Sequence, residues 1–195
     1  MKCTKRIMVV ALALICALGI TIVAPESAHA YSGAPGTGIT FERAIEIARN
    51  AAGGGQVKEV EWELKNGNPR YEVEVYFNGR KHEIRINAVT GELTKHTSKA
   101  TSKTITGITI SQVTSAVATG FADIALTQSG GGTVREVEFE LNKNGVLICE
   151  IELTDLSGNK HEFKFNASTG EMLRHSSKAP KNGSSCSGTI NHLAP

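Results

Sequence analysis

The sequence is poor in aromatic residues and lacks the short motifs that mark common hydrolases. Aromatic side chains make up 5% of the 195 residues, so any hydrophobic core must be small and largely aliphatic. No His-Glu-x-x-His stretch is present, which excludes a zinc peptidase of that type within this chain. No Gly-x-Ser-x-Gly turn is present either. These absences favour a protein that is not an enzyme and holds no cofactor.

The first thirty residues have the order of features of a secretory signal peptide. A basic start at residues 1–6 precedes an uncharged apolar run at residues 7–23. The small residues Ala28 and Ala30 then form a cleavage site in front of Tyr31. The apolar run is near the lower limit for a membrane-spanning helix, but the cleavage site favours removal of the segment. We therefore expect an exported protein, periplasmic or extracellular, with no membrane span after signal removal.

The predicted mature chain has no net charge and few cysteines. The signal peptide removes three basic residues and one acidic residue, which leaves 18 of each sign. This balance lacks the basic footprint of a nucleic-acid-binding protein, so no nucleic-acid partner is expected. Two lone cysteines, Cys149 and Cys186, remain and form neither a metal motif nor a disulfide framework. Export permits a disulfide between them, and the sequence leaves that pairing open.

Internal repetition is the strongest signal in the mature chain. Residues 57–64, Val-Lys-Glu-Val-Glu-Trp-Glu-Leu, recur as residues 134–141, Val-Arg-Glu-Val-Glu-Phe-Glu-Leu. Residues 81–92 recur as residues 160–171, and both begin with Lys-His-Glu and end with Thr-Gly-Glu. Roughly half of the positions in this part of the chain are shared by the two copies. The repetition predicts two tandem copies of one small structural unit.

Each copy begins with a predicted helix. In the first copy, Thr40 is a candidate cap. It precedes an apolar stripe at helical spacing, formed by Phe41, Ala44, Ile45 and Ala48. In the second copy, the predicted helix is longer, begins at a cap on Ser111 and contains Gly120. Three consecutive glycines end each helix.

Strands with strict alternation follow each helix. In the first strand, Val60, Trp62 and Leu64 share one face, and glutamates occupy the other. This period of two indicates an antiparallel sheet with one buried and one solvated face. Asn66-Gly67 and Asn78-Gly79 predict hairpin turns, and a short fourth strand is expected after Gly91 and after Gly170.

These elements predict an α+β fold of two tandem modules. Each module is one helix packed on a small antiparallel β-sheet of three to four strands. The predicted boundaries are a signal peptide at residues 1–30, a flexible lead at 31–38, a first module at 39–99, a linker at 100–107, a second module at 108–178 and a flexible tail at 179–195.

Both copies resemble the PepSY domain family. Residues 87–92, Asn-Ala-Val-Thr-Gly-Glu, and residues 166–171, Asn-Ala-Ser-Thr-Gly-Glu, look like the turn that precedes the last strand of that family. The short helix and the Tyr-Glu-Val-Glu-Val strand at residues 71–75 are similar as well. The family occurs in propeptides of secreted metallopeptidases and in stand-alone exported proteins. The resemblance implies a role in binding and restraining a peptidase, which here must be a separate protein.

Glutamates on the predicted solvated face are the candidate partner-binding residues. Like charges on neighbouring strands are unfavourable by up to about 1 kcal/mol per pair. They offer a surface for a basic partner or oxygen ligands for Ca²⁺. A merely solvated face, partly neutralised by Arg85 and Lys164, is the alternative. The candidates are Glu59, Glu61, Glu63, Glu72, Glu74, Glu136, Glu138, Glu140, Glu150 and Glu152.

Two histidines recur in both copies, His82 with His161 and His96 with His175. If Leu93 lies on the buried face of its strand, His96 falls on the face opposite His82. This register predicts no metal site.

The sequence as a whole predicts an exported, non-catalytic binding protein that regulates or inhibits a peptidase in the cell envelope, or that binds another envelope protein. The alternative is a cation-binding or envelope-stress protein that uses the acidic sheet faces. The sequence leaves the identity of the partner and the oligomeric state open, and it does not decide whether binding inhibits the partner or assists its folding.

Overall fold

The computed structural model describes residues 38–108 and 112–180. The predicted signal peptide, residues 31–37 of the lead, Ser111 and residues 181–195 of the tail lie outside the described residues, and Cys186 lies among the last of these.

The described chain runs through one helix and four strands, and then through one helix and four strands again. The elements are α1 (Phe41–Ala52), β1 (Gln56–Lys65), β2 (Asn68–Phe77), β3 (Arg80–Asn87), β4 (Leu93–Ala100), α2 (Ser115–Ser129), β5 (Thr133–Leu141), β6 (Leu147–Thr154), β7 (Lys160–Asn166) and β8 (Met172–Lys178). Neither helix has the length and apolar character needed to cross a membrane.

Both helices are capped by residues that satisfy their terminal backbone groups. The Thr40 hydroxyl accepts a hydrogen bond from the Arg43 N–H, which confirms the predicted cap of α1. Gly53 ends α1 in the left-handed conformation with φ of 88°. The second helix begins later than predicted, because Thr114 caps it and accepts from the Val117 N–H.

The eight strands form one antiparallel sheet in the order β4-β3-β2-β1-β5-β6-β7-β8. The prediction of two modules with separate small sheets is therefore wrong. Strand β1 pairs with β5, and this pair joins the two halves. A separate four-stranded sheet would leave the backbone groups of its first strand unpaired at an edge, and the β1–β5 pairing removes both of these edges. Alternation along a strand predicts its buried face but not its neighbours.

The hydrophobic core is also continuous across the two halves. Both helices cover one face of the sheet, α1 over β1 to β3 and α2 over β5 to β7. The Phe41 ring of α1 makes an edge-to-face contact with the Phe139 ring of β5, with centroids 5.7 Å apart. The N-termini of the helices also meet, where the Phe41 N–H donates to the Ser115 hydroxyl over 3.2 Å. One sheet and one core therefore unite the described residues.

Candidate functional site

The face of the sheet opposite the helices carries all ten candidate glutamates. They lie on the four central strands in the order β2, β1, β5 and β6, so the two predicted acidic faces form one acidic face. Nine of the ten side chains are half-buried, and Glu152 is exposed. The apolar residues that alternate with them pack under the helices, which fixes the glutamates on the open side.

Glutamate faces glutamate across the strand pair that joins the halves. Glu59 lies opposite Glu140, Glu61 opposite Glu138, and Glu63 opposite Glu136. The central row continues outward on both sides, because Glu72 lies opposite Glu61 and Glu150 opposite Glu138. Arg85 and Lys164 close this row at its two ends. The row is therefore four carboxyl groups wide, with two basic side chains at each end, because Lys95 lies opposite Arg85 and Arg174 opposite Lys164.

Basic side chains form ion pairs with five of the ten glutamates of this face. The Arg70 guanidinium lies 2.6 Å from Glu63 and 2.8 Å from Glu72. Lys164 lies 2.6 Å from Glu150. Similar ion pairs join Arg85 to Glu72, Lys81 to Glu74 and Lys58 to Glu140. Among residues 38–108 and 112–180, no basic side chain lies within ion-pair distance of Glu61, Glu136 or Glu138.

The central carboxyl groups hold their protons to unusually high pH. Burial, followed by repulsion from Glu72, raises the pKa of Glu61 to about 7. Burial raises the pKa of Glu138 to about 8, with Glu59 and Glu140 adding repulsion. Burial and the charge of Glu61 raise the pKa of Glu136 to about 8 as well. The centre of the face is therefore partly protonated at neutral pH.

One group of oxygens on the acidic face has the spacing of a cation site. Single carboxylate oxygens of Glu59, Glu138 and Glu140 lie within 4.8 Å of one another. The Lys58 ammonium, however, donates a hydrogen bond to the Glu140 carboxylate at the same place. A divalent cation bound there would have to displace this ammonium or share the carboxylate with it.

The outer strands bring together the histidines that the predicted register separated. His82 Nδ1 lies 2.9 Å from His96 Nε2, and His161 Nδ1 lies 3.0 Å from His175 Nε2. We call these the β3–β4 pair and the β7–β8 pair. They lie on the helix-covered face of the sheet, because His82 shares the phase of the buried Ile84 and His161 that of the buried Phe163.

A β-bulge explains why the predicted register was wrong. Arg85 pairs with Lys95, but its neighbour Ile86 pairs with Leu93, so Thr94 is an extra residue in β4. The bulge places His96 opposite Ile84, on the same face as His82. Leu93 lies opposite Ile86, but it is 40% exposed and is not part of the core. The second half repeats the bulge, with Phe165 opposite Met172 and Phe163 opposite His175. Strand alternation does not reveal such a bulge. The recurrence of both histidines in the two copies was the sequence signal that they lie together.

A carboxylate orients the histidine ring of the β7–β8 pair. His161 Nε2 lies 3.1 Å from Asp155 Oδ2. The Asp155 carboxylate also accepts hydrogen bonds of 2.8 Å from the backbone N–H groups of Ser157 and Asn159. The side-chain hydrogen bond from Asn159, helped by His161 and these N–H groups, lowers the pKa of Asp155 to about 2. The carboxylate is therefore ionised and holds the ring by a charged hydrogen bond.

The β3–β4 pair is more enclosed than the β7–β8 pair, and Arg80 is its charged neighbour. His82 is 8% exposed. Burial lowers its pKa, and the neighbouring His96 and Arg80 lower it further. At neutral pH, His82 is therefore an uncharged imidazole.

Residues 38–97 match the family model of the PepSY domain, described as the peptidase propeptide and YPEB domain. This match confirms the family resemblance for the first copy, and the second copy stays a prediction. The chain is 26% identical over 136 residues to the uncharacterized protein YkoJ of Bacillus subtilis (strain 168), covering 70% of this chain and 73% of that protein.

Of two crystal structures that align with this chain, one shares the described fold. One is a protein from Clostridium difficile 630 described as a predicted lipoprotein; it is 17% identical with a TM-score of 0.54, covering 69% of this chain and 90% of that chain. The other is a DUF2874 family protein from Bacteroides uniformis ATCC 8492; it is 14% identical and covers 69% of this chain and 87% of that chain. Its TM-score of 0.28 is too low to indicate a shared fold.

Proposed function

We propose that this protein is an exported, non-catalytic binding protein that restrains a peptidase in the cell envelope through its acidic face. The observation that carries the proposal is the row of facing glutamates across β2, β1, β5 and β6. The match of residues 38–97 to a peptidase propeptide family supports a peptidase as the partner.

The electrostatics of the acidic face favour a basic partner. Glu61 and Glu138 face each other and face further carboxyl groups on their outer sides, so their ionisation is opposed from both directions. Basic side chains laid over this row would lower the pKa of both groups by direct attraction. Binding of a basic segment therefore releases protons, and its affinity rises as the pH increases from 6 to 8. Salt weakens the complex because the charges are partly exposed.

The direct test incubates the purified protein with secreted metallopeptidases of the same organism. Binding is measured by calorimetry, and inhibition by the rate of peptide hydrolysis. The triple variants E59Q/E61Q/E63Q and E136Q/E138Q/E140Q should each weaken binding, and the loss should shrink at high salt. The control E46Q/E92Q/E171Q removes the same number of carboxyl groups outside the acidic face and should bind as the unmodified protein does. If no peptidase is bound or slowed, the proposal is wrong.

Cation binding by the acidic face is a second candidate function. The close oxygens of Glu59, Glu138 and Glu140 favour it. Calorimetry with Ca²⁺ separates the two functions. Stoichiometric Ca²⁺ binding that is lost in E136Q/E138Q/E140Q, without any peptidase binding, would replace the peptidase proposal with this one.

Export itself has a simple test. Mass spectrometry of the protein recovered from the cell envelope or the medium should show Tyr31 as the N-terminal residue. An intact N-terminus in the membrane fraction would instead indicate an anchored protein.

A further inference from the structure

Both halves of the sheet place two imidazole nitrogens at the same short separation. The distance is 2.9 Å from His82 Nδ1 to His96 Nε2 and 3.0 Å from His161 Nδ1 to His175 Nε2. We propose that each histidine pair binds a divalent transition-metal ion of the Cu²⁺ class, with the two nitrogens as adjacent ligands. Nothing in the proposed peptidase binding requires these sites, because they lie on the opposite face of the sheet from the glutamates.

The separation of the nitrogens fits a particular coordination geometry. Two nitrogens that are each about 2.0–2.1 Å from a metal and subtend a right angle lie about 2.9 Å apart, whereas a tetrahedral angle separates them by about 3.3–3.4 Å. Right angles between nitrogen ligands are typical of tetragonal Cu²⁺ and Ni²⁺ sites. Among these ions, Cu²⁺ binds a given nitrogen site most tightly. Ca²⁺ and Mg²⁺ prefer oxygen ligands and do not fit.

Neighbouring residues orient both imidazole rings of the β7–β8 pair for metal binding. A proton on His161 Nε2 is donated to the Asp155 carboxylate, so the lone pair on Nδ1 points toward His175. A carboxylate behind a ligating histidine is the usual partner in metal sites, where it fixes the tautomer and the ring orientation. The Phe163 ring stacks on His175, with centroids 4.0 Å apart, and holds the second imidazole.

The β3–β4 pair has the same two nitrogens without the same support. Among residues 38–108 and 112–180, no carboxylate lies within ion-pair distance of His82. We therefore rank the β7–β8 site as the tighter of the two. In each pair one histidine is shielded and the other, His96 or His175, is exposed. An ion can therefore enter from solvent, and water can fill its remaining coordination positions.

The experiment titrates the purified protein with Cu²⁺ and follows binding by calorimetry and electron paramagnetic resonance. One ion should bind per histidine pair, and the spectrum should show two coordinated imidazole nitrogens per ion. H175Q should abolish binding at the β7–β8 site, H96Q at the β3–β4 site, and H96Q/H175Q at both. Because His96 and His175 are exposed, these variants should melt as the unmodified protein does without metal.

Two controls make the result decisive. His192→Gln removes an imidazole outside both pairs and should leave the two ions bound. Asp155→Asn keeps an amide oxygen for the N–H groups of the turn but removes the charge behind His161. It should weaken the β7–β8 site by about 10- to 100-fold and leave the β3–β4 site unchanged. The proposal is overturned if H96Q/H175Q binds Cu²⁺ as the unmodified protein does, or if the bound Cu²⁺ shows no nitrogen ligands.

Discussion

Glu61 lies directly opposite Glu138 on the antiparallel strands that join the two halves of the sheet. Their own outer neighbours, Glu72 and Glu150, are also carboxyl groups. These two are ion-paired to basic residues, whereas Glu61 and Glu138 have no such partner in the part of the chain that the structure describes. The strand pair that unites the fold is therefore also the place where carboxyl groups are most crowded. This relationship makes the stability of the molecule depend on pH.

Ionisation of Glu61 and Glu138 should destabilise the fold as the pH rises. Their pKa values are raised from 4.5 to about 7 and about 8, so the folded protein keeps protons that the unfolded chain has already lost. The stabilising contribution is therefore complete below pH 4.5 and is lost as the pH rises through 7 to 8. We expect E61Q/E138Q to be more stable than the unmodified protein by about 1–3 kcal/mol at pH 8, and by little at pH 5.

Urea unfolding of both proteins at a series of pH values measures this effect. The difference between them isolates the contribution of the two carboxyl groups. The control E46Q alters an exposed glutamate on α1 that pairs with Arg43, and it should show no such pH trend. A stability difference that grows toward low pH would contradict the prediction.

The two halves should unfold together. Phe139 is fully buried in β5 and contacts Phe41 of α1 in the other half. Phe139→Ala should lower the free energy of unfolding by about 3–5 kcal/mol, because it removes a large ring from a packed core. Hydrogen exchange should then accelerate in both halves to a similar extent. The control Leu156→Ala truncates a side chain that is 84% exposed and should change stability little. Exchange that accelerates only in residues 112–180 would show that the halves unfold independently.

The sequence predicted the local elements of this fold better than their arrangement. The Thr40 cap, the α1 stripe and the hairpin turns at Asn66-Gly67 and Asn78-Gly79 depend on neighbouring residues, and all are confirmed. The β1–β5 pairing depends on two strands that are more than seventy residues apart. Val60 and Phe139 alternate with glutamates in the same way whether their strands lie at an edge or in the centre of a sheet, so the pattern could not distinguish one sheet from two.

For the candidate sites, too, the sequence predicted local features better than long-range arrangement. The ten glutamates were recognised because alternation assigns them to one face, but the joining of two acidic faces required the long-range pairing. The prediction that His82 and His96 lie on opposite faces was wrong, because a single extra residue, Thr94, reverses the phase of β4. A bulge of one residue has no strong sequence signature when no glycine marks it.

Cys149 should resist chemical labelling in the folded protein. The side chain is fully buried, and burial raises the pKa of its thiol well above the usual range, so the reactive thiolate is scarce. We expect iodoacetamide to modify Cys149 only after denaturation in the presence of a reductant. Peptide mass spectrometry assigns the label, and Cys149→Ala identifies the peptide. Fast labelling in native buffer would contradict the buried position.

Two glycines of the second half should respond to alanine with opposite signs. Gly132 precedes β5 with φ of +140°, and a Cβ there would lie 2.3 Å from the Thr154 carbonyl oxygen. Gly132→Ala should therefore destabilise the protein by more than about 1 kcal/mol, because both the backbone and the close contact resist the change. Gly120 lies inside α2, and among the described residues a Cβ there meets no atom within 4 Å beyond the neighbouring residues and backbone of its own helix. Gly120→Ala should stabilise by about 0.5–1 kcal/mol, because alanine is the better helix former. Thermal and urea unfolding of the two variants beside the unmodified protein measures both effects, and equal shifts in one direction would show that the conformation described at Gly132 is wrong.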